Sequence, residues 1–142
     1  MMDNFLSFVS LRNYIVTLII FLVIDMVWLV FIAKSIYDKY LGYLMGEKVN
    51  FGAAFLFYAI FILGLMFFVI NPALAKDSIK YAIFAGALFG LVTYSTYDLT
   101  NMATIKDWPT LITVIDLIWG SFVSSATATL AYLAIRALSG NN

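Results

Sequence analysis

Three aspartates lie inside long apolar runs of this sequence, where carboxylates are rare. Asp25 is in the first run, and Asp98 and Asp116 lie within the most polar stretch of the chain, residues 93–120. A carboxylate that no cation neutralises is costly to bury, so it takes a proton, binds a cation or borders a water-filled pocket. A structural alternative is that each acid is protonated and hydrogen-bonds a polar group of a neighbouring helix. The three aspartates are therefore the first candidates for a functional site.

Two of these aspartates share a local motif. Residues 23–28 read VIDMVW and residues 114–119 read VIDLIW, so a tryptophan follows each aspartate by three residues on the same helical face. An indole N–H could donate a hydrogen bond to the carboxylate of its own helix or to that of a neighbour. Because the surrounding sequences differ, we interpret the motif as two similar local roles rather than as a duplication.

Further polar and aromatic side chains surround Asp98. Asp98 and Asn101 are three residues apart, so one helix face can offer an acid and an amide to the same ligand. These oxygen donors, with Asp116, would suit Mg²⁺, Ca²⁺ or Mn²⁺ rather than zinc or copper. The tyrosines could instead form an ordinary aromatic belt at a membrane surface. The candidate ligand-binding residues are Asp25, Trp28, Tyr94, Tyr97, Asp98, Asn101, Asp116 and Trp119.

The composition is that of a membrane protein. Of the 142 residues, 64% are hydrophobic and 11% are charged, whereas soluble proteins are about 45–50% apolar and about 25% charged. The eight basic and eight acidic residues form no basic cluster, so the sequence gives no support for nucleic-acid binding. We therefore expect the lipid bilayer to be the main partner of the chain.

The sequence contains no cysteine and no histidine. Their absence excludes disulfide bonds, thiol chemistry, iron–sulfur clusters, histidine-ligated haem and zinc sites built from these residues. We predict no cofactor, with a hard divalent cation as the only metal that the oxygen donors would suit. Carboxylate, amide, hydroxyl and aromatic groups remain available for chemistry.

Four apolar runs are each long enough to cross a membrane, which takes about 20 residues. They cover residues 14–33, 51–70, 81–104 and 109–137. We predict that Asn71 ends the second helix, because the residue before a proline is disfavoured in the helical conformation. Short connections favour antiparallel neighbours in one bundle. The predicted fold is an all-α membrane protein, an antiparallel four-transmembrane-helix bundle in a single domain covering residues 1–142.

The first connection, residues 34–50, allows two interpretations. Tyr37, Tyr40, Leu41 and Leu44 share one helical face, which predicts a short interfacial helix after the first span. The alternative, equally weighted, is that the first helix continues for two more turns.

Connectivity and helix faces predict that the three aspartates meet. In four antiparallel spans, each carboxylate lies roughly 10 Å below the same membrane surface. Rows of residues at intervals of four suit helices that cross closely through small side chains. The rows are Gly86, Gly90, Tyr94 and Asp98 on the third span, and Asp116, Gly120, Ser124 and Ala128 on the fourth. We predict that Gly86, Gly90, Gly120 and Ser124 are helix-packing residues.

Basic residues in short loops normally set the orientation of a membrane protein. Here they divide four against four between the two sides of the predicted bundle: Arg12, Lys76, Lys80 and Arg136 against Lys34, Lys39, Lys48 and Lys106. The rule therefore gives no orientation, and we take cytoplasmic termini as the working expectation.

The segment TYSTYDLTNMATIKDW, followed by VIDLIWG and preceded by the Asp-x-x-Trp of the first span, resembles a known family. This family of small bacterial membrane proteins is catalogued as domain of unknown function 2177. The resemblance covers essentially the whole chain and implies four spans and a bacterial inner-membrane location. It implies no activity and therefore no catalytic residue. The matching motif positions are Asp25, Trp28, Tyr94, Tyr97, Asp98, Thr100, Asn101, Trp108, Asp116, Trp119 and Gly120.

Three classes of function fit these residues. The first is binding or translocation of a small cationic ligand, a proton or a cation, with a homodimer supplying additional walls. The second is a membrane enzyme acting on a lipid or another hydrophobic substrate, with Asp98 or Asp116 as general acid or base. The third is a structural subunit of a membrane complex, in which Gly86 and Gly90 would face a partner instead of the fourth span.

Overall fold

A computed structural model of the chain describes residues 8–46 and 48–140, and these residues form helices and short connections without a β-strand. Four helices are long and apolar enough to cross a membrane, judged by length and composition. They are α1 (Val9–Leu44), α2 (Phe51–Lys76), α3 (Ile79–Thr104) and α4 (Thr110–Leu138). The predicted all-α membrane fold with four spans is therefore confirmed, while the antiparallel arrangement of all four stays a prediction.

Helix α1 is much longer than the predicted first span. Its α-helical part is followed by a π-helical turn, Leu29–Ala33, in which the N–H of Lys34 donates to the carbonyl of Leu29. A second α-helical part, Lys34–Leu41, continues from this turn without a break. Of the two interpretations of this segment, the structure shows the continuing helix, because no residue before Gly42 favours an end.

Helix α2 does not end at Asn71, so that prediction is wrong. The helix passes through a π-helical turn, Met66–Ile70, and continues to Lys76. In this turn the N–H of Asn71 donates to the carbonyl of Met66, five residues earlier. Such a local change of hydrogen bonding accommodates a proline inside a membrane helix. The helix ends instead at Asp77, whose φ of 53° is left-handed.

Side chains and turns define the starts of the later helices. The side chain of Asn50 accepts a hydrogen bond from the N–H of Ala53 at the start of α2. Ser78 does the same for the N–H of Tyr81 at the start of α3. Both are favourable N-caps. Helix α4 starts at Thr110, one residue later than predicted, with Pro109 in extended conformation before it.

Helix α4 is the most buried helix and packs closely against α3. It contributes eleven buried residues, whereas α3 contributes four. A Cβ atom added at Gly86 would lie 2.9 Å from the Cα of Ser125, and one added at Gly90 would overlap the carbonyl of Gly120. Contacting positions rise along α3 as they fall along α4, so these two helices run antiparallel. The two backbones touch at these glycines. This contact brings Asp98 of α3 and Asp116 of α4 to a similar height in the bundle.

Large apolar side chains cover the outside of the bundle. Phe31, Phe84 and Ile118 are 79%, 70% and 66% exposed. The interior core is formed by aromatic and aliphatic side chains, including Phe21 and Phe61, which are 0% and 4% exposed. A surface this apolar requires lipid rather than water around it.

Candidate functional site

A cavity of about 210 Å³ lies beside Asp25 and contains no other carboxylate in its lining. Six aromatic side chains from all four helices surround it. The complete lining, within the part of the chain that the structure describes, is Asp25, Trp28, Leu29, Tyr37, Ala54, Phe57, Tyr58, Tyr94 and Trp119. We call this space the Asp25 cavity.

Asp25 is held by donors from two other helices. The hydroxyl of Tyr58 in α2 donates to Oδ2 at 3.2 Å, and the indole Nε1 of Trp119 in α4 donates to Oδ1 at 3.4 Å. The carboxylate is 7% exposed. Within residues 8–46 and 48–140 the one ion pair joins Arg136 to Asp77, so no described cation neutralises Asp25.

The two tryptophans of the repeated motif form one wall of the cavity. The rings of Trp28 and Trp119 stack with their centroids 4.4 Å apart and their planes 9° from parallel. Trp119 donates to Asp25, which belongs to the other copy of the motif. The side chain of Trp28 lies beside that of Tyr37. Of the two alternatives for the indole groups, the structure shows donation to a neighbouring helix at Asp25.

Asp98 and Asp116 form a second acidic group. Asp98 is fully buried and Asp116 is 6% exposed. Their carboxyl groups lie within hydrogen-bonding reach of each other, and the hydroxyl of Tyr37 donates to Oδ1 of Asp116. Neither oxygen of Asp98 accepts a hydrogen bond from an N–H or O–H group of the described residues. We call these two residues the Asp98–Asp116 pair.

The sequence predicted that three aspartates meet, and the structure divides them two and one. The described residues contain no group of three His, Cys, Asp or Glu side chains that could hold a metal ion. Tyr37 links the two acidic groups, since it lines the Asp25 cavity and also hydrogen-bonds Asp116. The predicted depth of Asp25 below the membrane surface assumed that the first helix ends at Lys34, which it does not. The hydrogen bond from Trp119 nevertheless places Asp25 beside α4.

Glycine 120 determines how Tyr94 reaches the cavity. A Cβ atom added at Gly120 would overlap the ring of Tyr94, which lies directly on the backbone of α4. Tyr94 can therefore extend across α4 and line the Asp25 cavity. Ser124, one turn further along α4, is fully buried near Gly90, and its hydroxyl has no partner among the described residues.

Tyr97 and Asn101 lie away from the cavity lining. The Tyr97 side chain is 58% exposed and meets Trp108 edge-on, with ring centroids 6.0 Å apart. Its hydroxyl lies near the side chain of Asn101. Trp108 is 8% exposed and donates from Nε1 to Oγ1 of Thr113 at 2.9 Å. These residues therefore stabilise the end of the bundle beside the acids.

Sequence reasoning missed five lining residues of the cavity, the aromatic Tyr37, Phe57 and Tyr58 and the aliphatic Leu29 and Ala54. Tyr37 was assigned to the face of an interfacial helix, because residues 34–50 were interpreted as a connection separate from the first span. Tyr58 and Phe57 lie in a uniformly apolar and aromatic run in which no spacing distinguishes them. A tyrosine in such a run is the one weak signal that could have indicated Tyr58.

The two acidic groups have different chemical capacities. The Asp25 cavity offers one negative charge surrounded by aromatic faces, which attract cations through their π electrons. The Asp98–Asp116 pair offers two carboxyl groups without a cation, and such a pair is stabilised by a shared proton.

No curated protein and no solved structure matches this chain. One family model, described as "Predicted membrane protein (DUF2177)", matches residues 10–133. The chain is therefore a member of this family of membrane proteins, and its family has no described activity.

Proposed function

We propose that this protein binds a small organic monocation in the Asp25 cavity. The observation that carries the proposal is one buried carboxylate beside a cavity lined by six aromatic side chains. A cation over an aromatic face gains about 0.5 kcal/mol when exposed and about 2 kcal/mol or more when desolvated. Asp25 supplies the single compensating charge, and Tyr58 and Trp119 fix its orientation.

The size and the lining of the cavity favour such a ligand over the alternatives. A volume of about 210 Å³ is below the range of about 300–1,000 Å³ that is usual for drug-sized ligands. This volume therefore favours a small ligand. Hard metal ions require six or more oxygen ligands, whereas this lining consists mainly of carbon faces. An alkylated ammonium group carries one positive charge to pair with Asp25, and its apolar substituents suit the aromatic lining and the small volume of the cavity.

The binding test uses the protein in lipid nanodiscs, with tetramethylammonium chloride as the probe. Tryptophan fluorescence reports occupancy, because two of the three tryptophans line the cavity. Asp25→Asn keeps the side-chain shape and removes the charge, so we expect binding to be lost. Asp38→Asn is the matched control, since Asp38 is exposed on the same helix. Binding that survives in Asp25→Asn, or that is absent in the wild type, contradicts the proposal.

We further propose that the chain resides in a bacterial inner membrane, with both termini cytoplasmic, and that it works as a homodimer. The resemblance to bacterial proteins supports the location, and the small number of spans supports a dimer that adds walls to the site. Because the chain has no cysteine, single cysteines introduced at Ser139 and at Lys106 can be labelled from each side. Labelling of Ser139→Cys from outside intact cells would contradict the orientation, and cross-linking that yields only monomers would contradict the dimer.

A further inference from the structure

We propose that the Asp98–Asp116 pair holds an exchangeable proton, which it releases when a cation occupies the Asp25 cavity. This inference rests on the proposed function and makes the protein a proton-linked cation-binding protein. It follows from three relationships among residues 8–46 and 48–140: none of them donates a hydrogen bond to Asp98, Tyr37 lies between the pair and the cavity, and none of them places a fixed cation at either acidic group.

The first relationship requires a proton in the pair. Two ionised carboxylates have only acceptor lone pairs and cannot hydrogen-bond each other. Asp98 is fully buried, and no described N–H or O–H group donates to either of its oxygens. Its carboxyl group lies within hydrogen-bonding reach of Asp116. One proton between the two oxygens satisfies Asp98 and avoids two uncompensated charges in the interior.

The second relationship connects the pair to the cavity. The hydroxyl of Tyr37 donates to Asp116, and the side chain of Trp28 lies beside Tyr37. Tyr37 and Trp28 both line the Asp25 cavity. A cation in the cavity is therefore separated from Asp116 by one tyrosine side chain. At such short range, in a medium of low dielectric constant, a positive charge stabilises a second negative charge on the pair.

The third relationship is the set of groups that face the pair and the cavity. No lysine or arginine lines the cavity or hydrogen-bonds either acid among the described residues. The electrostatic balance therefore depends on acids, tyrosines and whatever ion enters. The titratable groups in this region are Asp25 and Tyr37 of α1, Tyr58 of α2, Tyr94, Tyr97 and Asp98 of α3, and Asp116 of α4.

The exchange conserves charge. A monocation enters beside Asp25, the O–H bond of the protonated carboxyl group breaks, and the proton leaves to water as hydronium. The electron pair of that bond remains on the carboxylate oxygen, where Asp98 and Asp116 then carry two negative charges. The region gains one positive charge and loses one, so its net charge is unchanged.

The experiment is calorimetric titration of the wild-type protein in nanodiscs with tetramethylammonium chloride near neutral pH. Two buffers with different ionisation enthalpies reveal the number of protons released. We expect about one proton per bound cation, and an affinity that rises about tenfold per pH unit over the range in which the pair holds its proton. Binding without proton release overturns the inference and leaves the proposed function intact, whereas absent binding overturns both.

Variants identify the source of the proton. We expect Asp98→Asn to abolish the proton release that accompanies binding, because the remaining acid no longer shares a proton with a second acid. Proton release that persists in Asp98→Asn would come from Asp25 itself and would overturn the inference. Asp107→Asn is the matched control, since Asp107 is exposed and has a φ of 60°, which asparagine tolerates.

Infrared spectroscopy of the wild type provides a second measurement that does not depend on the folding of a variant. We expect a carboxylic-acid carbonyl band in the cation-free protein that disappears when tetramethylammonium is added. A band that the cation leaves unchanged would mean that the pair keeps its proton as a packing element and would overturn the inference.

Discussion

The indole ring of Trp119 lies flat on that of Trp28, with centroids 4.4 Å apart and planes 9° from parallel. These tryptophans come from the two copies of one short motif, on α4 and α1. Trp119 hydrogen-bonds Asp25 directly, and Trp28 lies beside Tyr37, which donates to Asp116. Trp119 thus supports the aspartate of the other motif copy, and Trp28 adjoins the tyrosine that supports Asp116. The stacked pair therefore contacts the surroundings of both acidic groups, and a change in either ring should affect both.

Replacing Trp119 with alanine tests the aromatic wall. The change removes one ring face and one donor to Asp25, so we expect the affinity for tetramethylammonium to fall about tenfold, which corresponds to about 1.4 kcal/mol. Trp119→Phe should recover most of the affinity, because the ring face is retained. Fluorescence titration in nanodiscs measures both, with Trp108→Phe as a control outside the cavity.

Replacing Gly90 with alanine tests the packing of α3 on α4. A Cβ atom at this position would overlap the backbone carbonyl of Gly120, which cannot move without shifting α4. We expect the free energy of unfolding to fall by about 1–3 kcal/mol, as in other overpacked interiors. Unfolding in mixed micelles by a denaturing detergent measures the loss.

The matched control for Gly90→Ala is Gly42→Ala. A Cβ atom at Gly42 meets nothing within 4 Å. Equal stability losses in the two variants would show that the close contact of α3 and α4 is not what makes Gly90 necessary.

A double-mutant cycle measures the bond between Tyr37 and Asp116. Tyr37→Phe and Asp116→Asn each remove part of the interaction, so their effects on the free energy of unfolding should not add. We expect a coupling energy of about 1.5–3 kcal/mol, the usual range for a hydrogen bond to a charged group. Tyr43→Phe paired with Asp116→Asn is the control, since Tyr43 bonds the backbone of Asp107 instead. A coupling near zero in the first cycle would contradict the link.

Deleting Ile32 tests the π-helical turn of α1. The deletion removes the extra residue, so a regular α-helix can then separate Asp25 from the tyrosine by eleven residues, about 20° on the helix surface. The tyrosine keeps its face, and we expect proton release on cation binding to be retained. Ile32→Ala keeps the number of residues and serves as the control. Loss of proton release in the deletion variant alone would show that the π-helical turn does more than absorb one extra residue.

Composition and the spacing of apolar runs were sufficient to predict four membrane-spanning helices, because hydrophobic length is a direct requirement of the bilayer. The helix ends were less predictable. Pro72 was taken as a helix end, but the π-helical turn before it supplies the altered hydrogen bonding that a proline needs. Local sequence does not reveal such a turn, since its stability depends on packing against the other helices.

The acids and tryptophans of the site were identifiable because polar groups in apolar runs require an explanation. Tyr37 could not be identified from the sequence, and the geometry of helix α1 gives the reason. It follows Asp25 by twelve residues, which in a regular α-helix places it about 120° away on the helix surface. The extra residue in the turn Leu29–Ala33 removes about 100° of this angle and brings both side chains to one face.

The same turn has a consequence for transferring knowledge between relatives. A family member that lacks one residue between the positions of Trp28 and Tyr37 reaches the same arrangement with a regular α-helix, because eleven residues place its tyrosine about 20° from its aspartate. A one-residue gap at this point therefore does not by itself mark a different site, when the aspartates and tryptophans are identical. The π-helical turn and the number of residues have to be considered together when motif positions are matched between relatives.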